Sequence, residues 1–328
     1  MCHHVIRTRR PPMNNFIEQE IVLQTESVFG RDVPLALSSG LLRRLEATTK
    51  PCVRMAFEGA SSSVGAMPVW LERAIDIRTL GFSVQDGRTV LHLKAPRLAD
   101  AAPKLFEQAS LFPGVASPDD TALQVVSKFV REIRKENLAS DLYDRSLLHQ
   151  FSQWRDLFKH DLKGVEFPES QHNSDSPAAI DAAIASSARS LSDKTPAPRQ
   201  VRIVGKLDMV RHSTRSFELL LSNGDPVRGV LVDGTSESLQ KHFGREITVL
   251  GKAIYRPSGA LLRLDASEIL ATTEGREAFS TVPLSFITPM RTERKLQTMK
   301  TGVSAFFGIW PGEETDAELI SALAEIRH

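Results

Sequence analysis

Cysteine is almost absent from this chain. Of 328 residues only Cys2 and Cys52 carry a thiol. They lie far apart, and one sits beside a terminus, so a disulfide framework is excluded and a reducing, cytoplasmic compartment is expected. Long apolar runs are missing too. No stretch approaches the roughly 18 apolar residues of a membrane span, so no membrane partner is expected. The opening MCHHVIRTRRPPMNN carries charge but no apolar centre, unlike a secretory leader. Met13 reads as an alternative start, and residues 1–15 read as a disordered tail. Charge of one sign is not in excess either. The 41 basic and 40 acidic side chains leave a formal net charge of +1. Nucleic acid or another polyanion would therefore have to be met by a local patch, not a global field. The sequence holds no zinc quartet, no dinucleotide fingerprint and no kinase set. Neither a cofactor nor a metal is expected, and no residue is assigned as catalytic. Cys2, His3 and His4 are metal-ligand types, but no partner pair follows at ligand spacing.

What is present reads as globular and α+β. Hydrophobic residues make up 41% and charged residues 25%, ordinary values for folded domains. The length exceeds one typical domain of roughly 100–200 residues. Residues 16–165 carry mixed signals. Leu35–Thr48 predicts a helix, and Pro51 predicts its end. Cys52–Phe57 and Thr79–Phe82 read as short strands. Asp86-Gly87 marks a hairpin, followed by alternation of Val90, His92 and Lys94 with Leu91, Leu93 and Ala95. Ser117 and Pro118 signal the start of a helix whose buried stripe is Leu123, Val126, Val130 and Ile133. A second helix starts near Asp144 with the stripe Leu147, Phe151, Trp154 and Phe158. Residues 166–199 then read as a linker with a weak helix over Pro177–Leu191 capped by Ser176, flanked by the stiff Lys194-Thr195-Pro196-Ala197-Pro198.

Beyond the linker the apolar period becomes two. Over residues 200–272 the pattern reads β-β-β-α-β-β. Val201, Ile203, Leu207 and Met209 share one face of the first strand, and Phe217, Leu219 and Leu221 share one face of the second. Asn223-Gly224 gives a turn into a third strand bearing Val227 and Leu231. A short helix capped by Thr235 carries Leu239 and Phe243 and stops at Gly244. Ile247, Val249 and Tyr255 mark the fourth strand, and Leu262, Leu264 and Ala266 the fifth. Gly205 and Gly251 within strands permit the curl that closes a small barrel. Between about Val201 and Leu270 this order resembles the OB-fold; an SH3-like or other small barrel is the alternative. The resemblance implies ligand contacts on the second and third strands and on the loops joining strands one to two and four to five.

Arg211, His212, Arg215, Arg228 and Arg256 fall on that implied face, and guanidinium groups suit phosphate. Arg202, Lys206, Lys252 and Arg263 alternate outward on other strands, while Asp208, Glu218 and Asp265 interrupt the patch. Sequence-tolerant strand binding uses exposed aromatic platforms; besides His212 and His242 the aromatics here are Phe217, Phe243 and Tyr255, and Phe217 and Tyr255 point inward by alternation.

Residues 273–328 form a tail. Arg291, Arg294, Lys295 and Lys300 cluster there, ahead of the apolar knot Phe306, Phe307, Ile309 and Trp310. Thr315 and Glu318 make a capping box for a final helix whose apolar face includes Leu319 and Leu323. The stretch Gly308–Leu319 resembles C-terminal tails of antitoxin-like companions of PIN-domain ribonuclease toxins. An extended apolar anchor followed by a short amphipathic helix suits docking into a partner's groove, so a protein partner is expected at Phe306, Phe307, Ile309, Trp310, Leu319 and Leu323. Folding back onto the chain itself is the competing expectation.

Two further features are weighed for chemistry. His149, Gln153, Asp156 and His160 share a helical face that lies opposite the apolar stripe, so they read as solvated. The loop Ser61–Gly65 offers backbone N–H groups and serines, but lacks a phosphate-loop Lys and hydrolase-elbow spacing. The leading expectation is a non-enzymatic binding or accessory protein whose barrel contacts nucleic acid or a protein and whose tail docks a partner. An antitoxin-type regulator of a PIN-like nuclease is the alternative, and an enzyme with a site near Ser61–Gly65 the third.

Overall fold

The computed structural model describes residues 16–271 apart from 64, 108–114, 159–160, 169–177 and 233–235. In chain order the elements are β1 (Phe16–Thr25), α1 (Leu35–Glu58), α2 (Val69–Ala74), β2 (Arg78–Gln85), β3 (Arg88–Pro96), α3 (Leu98–Ala101), α4 (Pro103–Phe106), α5 (Ala122–Arg134), α6 (Arg145–Ser152), β4 (Leu162–Phe167), β5 (Ala178–Asp181), α7 (Ala182–Lys194), β6 (Arg199–Arg211), β7 (Ser216–Leu220), β8 (Pro226–Leu231), α8 (Ser236–Gln240), β9 (Glu246–Tyr255) and β10 (Leu261–Ala271). The class is α+β.

The first five strands form an antiparallel sheet in the order β2-β3-β1-β4-β5. Alternation along β1 decides its faces. Gln19, Ile21 and Leu23 are buried, and Glu18, Glu20 and Gln24 are exposed. The register sets Glu18 opposite Lys94 and Glu20 opposite His92, so the open face carries complementary polar pairs. The other face is covered by helices. Leu41 of α1, Phe129 of α5 and Phe151 of α6 join Ile21, Leu91 and Val165 in one core, and Trp154 just beyond α6 completes it. Asp86 and Gly87 both adopt positive φ, 50° and 72°, as the tight β2–β3 hairpin requires.

Several local expectations give way to tertiary packing. α1 runs through Pro51 to Glu58 instead of stopping, and Cys52–Phe57 is helix, not strand. Cys52, Val53, Met55, Ala56 and Phe57 are all buried, and consecutive burial carries no strand alternation. The long helix after Ser117 starts at Ala122. Thr121 caps it in a reciprocal box with Gln124, whereas the Ser117 backbone N–H donates to Asp120. Downstream, Ala178–Asp181 is a fifth sheet strand paired with β4. The following helix spans Ala182–Lys194 with Asp181 as its cap, because the Asp181 carboxylate accepts from Ile184 N at 2.8 Å.

β6 to β10 close into a barrel in the order β10-β8-β7-β6-β9, with β9 also paired to β10. β8 and β10 run parallel, and the remaining pairs are antiparallel. This order, with α8 between the third and fourth barrel strands, is OB-like. Ile203, Leu207, Phe217, Leu219, Ile247, Val249 and Leu264 fill the interior. Gly251 is required by close approach: a Cβ there would press into the Asp265 carbonyl oxygen and the Ala266 Cα of β10.

Bulges change two faces that strict alternation predicts. The register shifts between Leu207 and Met209, which turns Met209 outward to 45% exposure and lets Val210 pack inside instead. A second shift lies between Leu261 and Arg263. Leu262 therefore joins Ile254 in the core shared with the sheet and its helices, not the barrel interior. Phe243 does not share a buried face with Leu239: α8 ends at Gln240, and Phe243 is 59% exposed while Leu239 is buried. Thr235 lies outside the described residues. No helix among the described residues is long and apolar enough to cross a membrane.

Candidate functional site

The barrel directs its arginines at the helical layer of its own chain. Arg211, at the end of β6, is buried and donates from Nη2 to the Leu105 carbonyl oxygen at 2.6 Å. Arg215, in the β6–β7 loop, takes a left-handed backbone with φ 55°. Burial pushes the Glu58 carboxyl up, and the charges of Arg54 and Arg215 pull it partly back. Arg263 is not outward-facing as alternation predicts. It is 2% exposed, and it bridges Asp144 at 3.0 Å and Asp265 at 2.7 Å. The Leu261–Arg263 bulge supplies the reason, since it turns this side chain toward the helices.

Asp144 gathers that junction. It caps α6 by accepting from Leu147 N at 2.9 Å, and it accepts from Ser61 Oγ at 2.7 Å and Ser61 N at 3.2 Å. Ser61 is thereby a structural hydrogen-bond partner of a buried carboxylate and is itself only 6% exposed. Burial favours protonation of Asp144, but Arg263 and the bonds from Ser61 and Leu147 outweigh it and hold the carboxyl below its ordinary value. Asp141 has a different role from its neighbour. Although it reads in the sequence as a helix-start residue, it reaches across to the barrel.

Arg228 on β8 and Arg256 in the β9–β10 loop converge on Asp141. Arg256 Nε donates to Asp141 Oδ1 at 2.7 Å, its Nη2 contacts the same oxygen, and Arg228 Nη1 lies 3.4 Å from Oδ2. Glu218 faces Arg228 from β7 at 3.8 Å. The neighbouring backbone adds a tie, as Ser258 N donates to the Leu138 carbonyl at 2.9 Å. Over the two guanidinium groups opens a cleft of about 380 Å³, within the roughly 300–1,000 Å³ of small-ligand sites. Its charged lining residues are Arg228, Arg256, Asp141 and Asp225, and Pro226, Val227, Ala260, Leu261 and Leu262 complete the lining. The side chains of Arg228 and Arg256 keep 36% and 23% of their surface open.

Of the five residues placed on the ligand face from sequence, the fold thus brings Arg228 and Arg256 together. Arg211, His212 and Arg215 do not line the cleft; His212 is exposed elsewhere on the β6–β7 loop. Asp141 is the member that sequence reading misses. Its position just ahead of α6 reads only as a helix start, and its partners lie 87 and 115 residues away. Phe217 and Tyr255 are buried, as alternation predicts. Lys206 and Lys252 are exposed.

Phe306, Phe307, Ile309, Trp310, Leu319 and Leu323 lie outside the described residues, as does the tail stretch carrying the antitoxin-like resemblance. His149 and Asp156 are exposed, and Asp156 pairs with Arg44 at 3.3 Å. Among the described residues no group of three or more His, Cys, Asp or Glu side chains is placed to hold a metal ion. Cys52 is buried among apolar groups, which pushes its thiol up and leaves it unreactive at neutral pH. No family model, curated protein or solved structure matches the chain.

Proposed function

We propose that this chain is a non-enzymatic binding protein whose barrel takes a short stretch of single-stranded nucleic acid across the cleft at Arg228 and Arg256. The observation that carries the reading is the convergence of two partly open guanidinium groups on one carboxylate, on the strand and loop that OB-like barrels use for ligands. A phosphodiester presents the same geometry of anionic oxygens as that carboxylate, so paired guanidinium donors suit either. Of the apolar lining, Pro226 and Ala260 are exposed and Leu261 is half-buried, and these can face a sugar edge. Among the described residues no aromatic side chain lines the cleft, so the contact is to the backbone and carries little sequence preference.

Fluorescence anisotropy with a short labelled oligothymidylate at low ionic strength tests this. The wild type should bind, the paired change Arg228→Glu and Arg256→Glu should abolish binding, and Lys206→Glu with Lys252→Glu, outside the cleft, should bind like the wild type. Absence of binding by the wild type, or equal loss in both double variants, overturns the reading. Thermal melts of each variant establish that the fold is retained.

A further inference from the structure

We infer that Asp141 is a resident competitor for the cleft: a ligand phosphate takes its place between Arg228 and Arg256, so that binding loosens the α5–α6 loop from the barrel. This rests on the proposed function and specifies how that site is regulated.

Three observations carry it. First, Asp141 uses both carboxylate oxygens on the two arginines, Oδ1 on Arg256 and Oδ2 on Arg228, which is how a bridging phosphate would be held. Second, the site already carries more carboxylates than guanidinium groups. Arg228 and Arg256 stand among Asp141, Asp225 and Glu218, two cations against three anions, so an incoming anion is disfavoured until a carboxylate leaves. Asp225 accepts from the Asn223 side chain at 2.7 Å, whereas Asp141 meets both arginines and is therefore the carboxylate to be exchanged. Third, Asp141 sits on a loop tied to the barrel at this end, among the described residues, by its own arginine contacts and by Ser258 N to Leu138 O at 2.9 Å. Three residues further on, Asp144 is anchored by Arg263, Ser61 and Leu147, so the loop can open at Asp141 while its base stays fixed.

The test compares wild type with Asp141→Asn, which keeps the size of the side chain, removes its charge and turns one of its two acceptor oxygens into a donor that no arginine can use. Binding of the same oligothymidylate should tighten by roughly tenfold, the order of one charge-assisted contact. If Asp141 instead holds the arginines in position for the ligand, the variant binds more weakly, and equal or weaker binding overturns the competitor role while the proposed function stands. Binding by neither protein overturns both. An independent readout needs no variant: on adding the oligonucleotide to the full-length wild type, the Ser258 amide should exchange with solvent several-fold faster. Protection that is unchanged or increased under saturating oligonucleotide contradicts the coupling.

Discussion

At the scale of single residues, the junction between barrel and sheet turns on one buried carboxylate. Asp144 and Arg263 are 4% and 2% exposed. Removing one partner of such a pair leaves the other charge without compensation in the interior. Asp144→Ala is therefore expected to cost about 3–5 kcal/mol in urea unfolding at neutral pH, with loss of the α6 cap included. The direction of the Asp144 shift adds a pH dependence. Its folded pKa lies below the unfolded value of about 3.9, so the stabilisation is complete above that value and is lost as pH falls toward the folded pKa. Stability of the wild type should decline as pH drops through about 4, and Asp144→Asn should decline less over the same window. Equal acid sensitivity of the two proteins would remove Asp144 from this role. The sequence marked Asp144 as a helix-start residue, and the structure agrees, but its second role could not be read there. The partner Arg263 points inward only because of a bulge, and a bulge leaves no mark in the alternation of residue types.

At the scale of elements, what was legible was what short-range physics decides. The Asp86-Gly87 hairpin, the stripe Leu123, Val126, Val130 and Ile133, and the inward residues of the barrel strands all follow from turn chemistry and periodicity. Apart from the bulges and the shifted α5 cap, two of the failures arise because burial by, or pairing with, distant elements overrode a local signal. α1 is the plainest case. Pro51 removes the N–H that would reach Ala47, yet the helix continues because the turns beyond it bury Cys52, Val53, Met55, Ala56 and Phe57. The missing bond remains a local defect. Pro51→Ala should restore it and raise stability by about 1–3 kcal/mol in denaturant unfolding; an unchanged or lower midpoint would mean that the proline is accommodated without cost. β5 was hidden for a related reason. Its four residues, Ala178–Asp181, are too few for a period to register, and they become a strand by pairing with β4.

At the scale of the whole molecule, the barrel is a closed OB-like cylinder that also serves as a wall for the α+β core. Ile254 and Leu262 pack with the sheet and helices, and Arg211, Arg228, Arg256 and Arg263 all contact residues of that layer. Much of the face on which the sequence gathers its arginines is thus used to join one part of the chain to another. Whether a given arginine faces solvent or its own chain depends on where a second layer lies, and residue parity is silent about that. The cleft at Arg228 and Arg256 is where this face stays open, and the functional reading rests on it. The most direct measurement is the salt dependence of single-strand binding. One phosphate held between the two arginines should make the association constant fall with a log–log slope of about −0.7 on a single strand, and the slope should vanish with binding in the Arg228→Glu, Arg256→Glu protein. A wild-type affinity indifferent to salt, or a slope that survives the double change, would contradict a nucleic-acid site at this cleft.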